Sequence, residues 1–250
     1  MPPFKDLKEL FEIPRIYAEE TWHSPSGRLV REIVFGINDG VISTIGFLFG
    51  MVGAVMQHQI ILISGLAEVL AGTVSMFVGG YLSTKSQQEF FEHEIRREKS
   101  EIEEMPAKER EEIRRIYQAK GFQDPKELDL VVNRITADKR VWLKCMMEEE
   151  LGLILESMDS PVKVGLVIGA SFLVGGFIPL IPYIFLDTAA ALKASLIFTA
   201  VGLFCLGAVK TTITRQPWFK SGLEALSIGA VACLAGYGIG LLLKQLAGTL

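Results

Sequence analysis

The sequence predicts an all-α membrane protein, with five transmembrane helices and a three-helix insert between the second and third. Two observations predict it. Half of the 250 residues are hydrophobic although 22% are charged, and the charges are gathered in one stretch. Between Thr84 and Ser160 stand 19 of the 29 acids and 14 of the 25 bases, a net charge of −5. Outside it lie five apolar runs, and a spanning helix needs about 20 apolar residues at ~1.5 Å rise each. No strand signal and no repeat of useful period interrupts this pattern.

The runs are Ile33–Met56, Ile60–Ser83, Val164–Leu186, Ala194–Val209 with its flanks, and Ala225–Leu243. The last three hold no charged residue. The predicted layout is an N-terminal segment (1–28), spans 1 and 2 (29–84), the insert (85–160) and spans 3 to 5 (161–247). Residues 1–23 are too charged for a cleavable signal and lack its apolar core. Phe4, Leu7 and Phe11 share one helical face there, which suits a short interfacial helix or a tail.

Lysine and arginine near span ends set orientation. Lys5, Lys8, Arg15, Arg28 and Arg31 precede span 1, and the first connection, Gln57-His58-Gln59, has neither residue type. The insert is rich in both. The third connection holds Lys193, the fourth Lys210, Arg215 and Lys220, and the C-terminal end Lys244. The alternation predicts a cytoplasmic N-terminus and insert, with the C-terminus on the far side. Three cysteines form no disulfide framework, and Cys145 in the insert fits a reducing compartment.

Within the insert, Glu89–Glu104 lacks Gly and Pro and reads as a continuation of span 2 out of the membrane. Pro106 opens a helix from Ala107 to Lys120, which Gly121 ends. Asp124-Pro125 is an N-cap followed by Pro at the first helical position. That helix reaches Thr136, and a last helix is expected from Ala137 to Glu156.

Asp39 is the only charge in span 1 and Glu68 the only charge in span 2. Carboxylates in hydrocarbon are costly and mark ion or proton paths. Counted from the cytoplasmic ends, Asp39 is ~15 Å deep and Met76 ~11 Å, with Glu68 two turns deeper than Met76. Small residues recur at spacings of three and four in both spans. In span 1 they are Gly36, Ser43, Gly46, Gly50 and Gly53; in span 2, Gly65, Gly72, Gly79 and Ser83. Such stripes let helices approach closely. They are expected to bring Asp39, Glu68 and Met76 to one shared seam. A carboxylate with a thioether suits a borderline transition metal such as ferrous iron better than an alkali cation. A desolvated carboxylate can also exchange a metal for a proton. Against this stands a plainer reading, in which Asp39 caps a helix, Glu68 bonds a hydroxyl and Met76 packs.

The insert repeats the theme. Glu98 and Glu101 are three apart, as are Glu109 and Glu112, and Met146, Met147 and Glu150 form a third set. Residues at i, i+3 and i+4 share a helix face, so three carboxylate faces could enclose divalent cations. The plainer reading is a solvated surface whose glutamates pair with Arg96, Arg97, Arg110, Arg114 and Arg115.

Several blocks carry a resemblance. They are IND39-G40 in span 1, GLAEVLAGTVSMFVGGYLSTKSQ (Gly65–Gln87), EIRREKSEIEEMP (Glu94–Pro106), WLKCMMEEELGL (Trp142–Leu153) and GGFIPLIPY (Gly175–Tyr183). Together they resemble the vacuolar iron transporter family, over about Ser24 to Leu243. The resemblance implies a five-span homodimer whose iron path follows the dimer interface and exchanges cytosolic Fe2+ for protons. It implies a membrane site at Asp39, Glu68 and Met76. It implies a cytosolic metal site at Glu98, Glu101, Glu109, Glu112, Met146, Met147 and Glu150. Two features depart from the family: Ile-Asn precedes Asp39 where the pattern has Ser, and the segment between Glu112 and Met146 is least similar.

The expected function is therefore proton-coupled export of Fe2+ from the cytosol, with Mn2+ as a second cargo, for iron homeostasis. The export direction comes from the family and from the insert's expected cytoplasmic side. The membrane is expected to be a microbial cell membrane or a vacuolar membrane. The expected partners are lipid, Fe2+, protons and a second copy of the chain; no nucleic acid and no cofactor are expected. The main rival is a membrane-anchored metal sensor or buffer without transport, which would not need Asp39 and Glu68. An enzyme of the di-iron carboxylate type would need paired Glu-x-x-His motifs, which His23, His58 and His93 do not supply.

Overall fold

A computed structural model describes residues 27–54, 57–153, 160–214 and 217–248. All of its regular structure is helical: α1 (Gly27–Ala54), α2 (His58–Glu104), α3 (Pro106–Ala119), α4 (Pro125–Thr136), α5 (Lys139–Glu149), α6 (Pro161–Phe185), α7 (Thr188–Thr214) and α8 (Trp218–Gly248). Five of these, α1, α2, α6, α7 and α8, are long and apolar enough to cross a membrane. They correspond to the five predicted runs, with Met56 outside the described residues. The chain divides into a spanning unit, Ser24–Ser83 with Ser160–Leu250, and an insert unit, Thr84–Asp159. The 47-residue α2 belongs partly to each.

In the spanning unit α1 is the helix that its neighbours surround. A Cβ added at Gly36 would stand 2.6 Å from the Ser171 Cβ of α6, and one at Gly40 would stand 2.3 Å from the Phe172 carbonyl oxygen. From the other side, a Cβ at Gly236 or Gly240 of α8 would meet the carbonyl oxygens of Gly46 or Gly50 at 2.1 and 2.0 Å. Small residues let backbones touch where burial alone cannot drive helices together in lipid. The other face of α1 is filled by Val41, Ile45, Leu48 and Val52, all buried.

The small-residue stripes meet more than one neighbour. Gly36 and Gly40 of α1 meet α6 and Gly46, Gly50 and Gly53 meet α8, while Gly72 of α2 meets Phe172 of α6 and Gly65 meets both Leu180 of α6 and Leu48 of α1. Helical spacing marks a face but does not say which neighbour the face meets. Pro179 and Pro182 lie inside α6 and remove two backbone donors. Ser195 of α7 donates to the Pro179 carbonyl of α6 at 2.7 Å, a hydrogen bond between the two helices.

The insert unit follows its local signals. Pro106 is in the first turn of α3, and Gly121 after it takes φ +104°. Asp124 caps α4 by accepting from the Lys126 amide at 2.7 Å, and Asp138 caps α5 by accepting from the Arg140 amide at 2.8 Å. The last helix is shorter than expected. It ends at Glu149 rather than Glu156, because the chain turns through Gly152 at φ +64°. The Leu151 and Leu153 amides bond back to the Met146 and Met147 carbonyls and close the helix end. Residues 154–159, which held the rest of that expectation, lie outside the described residues. Ile95, Ile102, Ile113, Leu128, Val132, Trp142 and Leu143 form the insert's apolar core.

Candidate metal-ion path

Asp39 and Glu68, the carboxylates of the apolar runs, lie on α1 and α2. Glu68, half-buried on α2, accepts a hydrogen bond at Oε2 from the Thr44 hydroxyl of α1 at 2.9 Å. Ser43 is a second hydroxyl beside that carboxylate, and Asp39 lies within electrostatic reach of it. Asp39 is half-buried one turn before Ser43. Met76, also half-buried, follows Glu68 by eight residues on the same helix, ~12 Å along its axis. Sequence spacing placed Asp39 and Glu68 on one seam; the contact the structure shows there is from Thr44 to Glu68, and the spacing did not single out Thr44.

The insert unit brings five of its seven predicted ligands into two groups. Glu98, Glu101 and Glu109 each offer a carboxylate oxygen within 4.8 Å of the others, and so do Glu109, Glu112 and Glu150. Glu109 belongs to both. It is fully buried, and neither of its oxygens has a hydrogen-bond partner; Oε1 of the buried Glu98 has none either. Buried carboxylates left in this state need a cation or a proton. Burial, reinforced by the charges of Glu150 and Glu109, pushes the Glu98 carboxyl up to about 8. Partial desolvation, with Glu112 and Glu109 adding repulsion, also holds Glu150 above the usual carboxylate range. Glu150 itself is the C-cap of α5 rather than part of a continuous helix face.

Met146 and Met147 are also fully buried, in the apolar core with Ile113, Trp142 and Leu143. Adjacent residues on a helix point about 100° apart, and the core takes both. The pairing of arginines with these glutamates is sparse. Arg97 reaches Glu94 at 2.9 Å and Glu101 at 3.8 Å. Arg110 bonds Asn133 and Thr136, and Arg114 pairs with Asp129 and Glu111. The cation at the second group is Lys108, 3.6 Å from Glu109 and 3.3 Å from Glu112. The Glu94–Arg97 pair and Lys108 were missed; a lysine at i−4 from Glu112 is a signal that could have found the latter.

Known proteins resemble this chain over most of its length. The VIT family profile matches residues 30–241. The chain belongs to the VIT family. The relative "Vacuolar iron transporter 1" of Eucalyptus grandis is 36% identical over 218 residues, 87% of each chain. Its namesake in Arabidopsis thaliana is 35% identical over 216 residues, 86% of each chain. "Vacuolar iron transporter" of Plasmodium falciparum is 31% identical over 225 residues, 86% of this chain and 82% of the relative. VIT family members are transporters, not enzymes, so the di-iron oxidase reading falls. Family membership and the five apolar helices make this a multi-pass membrane protein.

Proposed function

We propose that this protein exports ferrous iron from the cytosol in exchange for protons, with Mn2+ as a second cargo. The observation that carries the reading is the Asp39–Glu68 pair. Two carboxylates stand together in helices otherwise apolar enough for a membrane, and a sensor or buffer has no use for them there. The relatives' names supply the metal. The insert lies on the cytosolic side, as the lysine and arginine alternation requires. Its two groups, Glu98–Glu101–Glu109 and Glu109–Glu112–Glu150, gather metal, with the Met146 and Met147 sulfurs biasing the site toward iron. Metal passes to Asp39 and Met76 and on past Glu68, and protons return on the same carboxylates. Two copies of the chain pair along α2, where Ile63, Leu66, Leu70, Val74, Val78 and Leu82 form an exposed apolar ridge. The membrane is that of a microbial cell or of a vacuole.

The test is Fe2+ flux into proteoliposomes that enclose a pH dye. Wild type should move Fe2+ with counter-moving protons, and Asp39→Ala should lose both. A second reading, a metal buffer, is favoured by one fact: all the insert's ligands lie within one unit. Wild-type protein that binds Fe2+ in the insert but shows no flux would establish that reading instead. Loading of metal only from the non-cytosolic face would reverse the direction.

A further inference from the structure

Thr44 is fully buried in α1, five residues beyond Asp39. Hydroxyls in helices commonly turn back to a carbonyl of their own chain. Thr73 does so to Val69 at 2.8 Å, and Thr211 to Ala208 at 2.6 Å. Thr44 instead directs its hydroxyl to another helix, to the Glu68 carboxylate. The space it occupies is kept by a glycine, since a Cβ at Gly176 would stand 3.0 Å from Thr44 Oγ1.

We propose that Thr44 is the positioning residue for Glu68. Its hydroxyl holds Oε2 and fixes the side chain, with the Ser43 hydroxyl beside the same carboxylate. This rests on the reading of Glu68 as part of the path. The residue type suits the task. A hydroxyl donates to an ionised carboxylate and can rotate to accept from a protonated one, so it stays bonded through the exchange. An ammonium or guanidinium at the same place would repel the metal, and an amide is bulkier than the space beside Gly176 allows. Thr44 carries no charge and touches no metal; it acts through Glu68.

The test is the dependence of Fe2+ flux on Fe2+ concentration in proteoliposomes. Thr44→Val keeps the shape and removes the donor. It should raise the KM for Fe2+ roughly tenfold, the scale of one hydrogen bond to a charged group, with turnover at saturation within about twofold. Thr44→Ser should restore the wild-type KM. Equal KM values for Val, Ser and wild type would overturn the inference, as would a loss of turnover that serine does not rescue. If the valine variant is not monodisperse, Thr44→Ala replaces it in the same comparison with serine. Glu68→Gln, measured alongside, should abolish flux. If that variant transports like wild type, the path reading itself fails; if it is dead while Thr44→Val is normal, only the role of Thr44 fails.

Discussion

The carboxylates of the spanning unit and those of the insert solve different problems. In the spanning unit two acids stand in apolar surroundings, and a neutral hydroxyl holds one of them. In the insert four acids converge on Glu109, with Lys108 and Arg97 at the rim. Among the described residues, the first arrangement has no cation paired with its acids, and the second concentrates negative charge and tempers it with positive charge. On the proposed reading the first is a passage and the second a reservoir. Metal affinity and metal movement should therefore separate by mutation.

The sharpest separation sets Asp39→Ala against Glu109→Gln. The first should abolish flux and leave the number of ions bound to the insert unchanged. The second removes the acid common to both groups. It should cut bound Mn2+ or Fe2+, counted by equilibrium dialysis of the full-length protein, to half or less. Flux at low Fe2+ should fall about tenfold and recover at high Fe2+, because only loading is impaired. Equal loss of flux at all concentrations would merge the two regions into one path and break the comparison.

A smaller effect comes from pH. Glu98 is raised from about 4.5 to about 8 in the folded insert, chiefly by burial. A carboxyl raised on folding binds more protons folded than unfolded, so metal-free stability should fall as pH rises from about 4.5 to about 8. Metal needs the ionised form, so affinity should climb over the upper part of the same window, with a proton released per ion. Isothermal titration in buffers of different ionisation heat reads that proton. Glu98→Gln should flatten both slopes; unchanged slopes would assign the proton to another group, with Glu150 the next raised carboxyl.

What could be read without coordinates was whatever depends on local chemistry. The five spans follow from run length, and two helix starts follow from Pro106 and from Asp124 with Pro125. The paired spacings of Glu98 with Glu101 and Glu109 with Glu112 correctly anticipate acids that converge. What depends on which helix meets which was not legible. The glycines of α1 could as well have faced α2 as α6 and α8, and Thr44 looks like any small polar residue in an apolar run. The end of α5 was misplaced because Leu151, Leu153, Ile154 and Leu155 continue an apolar pattern. Only the left-handed turn at Gly152 stops the helix, and a lone glycine is a weak signal. Met146 and Met147 drew attention as a pair; their complete burial in the core shows that the apolar half of their chemistry is in use whatever the sulfurs do.

The smallest expected effect tests the rim of the reservoir. Lys108 is exposed and lies close to both Glu109 and Glu112, and the Glu112 carboxylate holds its ammonium above the usual lysine range. It stands beside the second group on the solvent side. An exposed ion pair is worth little, and salt screens it. Replacing it by a neutral side chain should still help a divalent ion, whose double charge doubles the repulsion from the ammonium. Lys108→Gln should tighten Mn2+ binding about threefold at low ionic strength, an effect that vanishes near 1 M salt, where the screening length is ~3 Å. Lys108→Arg should bind as wild type. On the proposed reading, in which the insert loads the path, the tighter variant should transport no faster at saturating metal, and a rise in turnover would show that the insert does not act as a reservoir feeding the path.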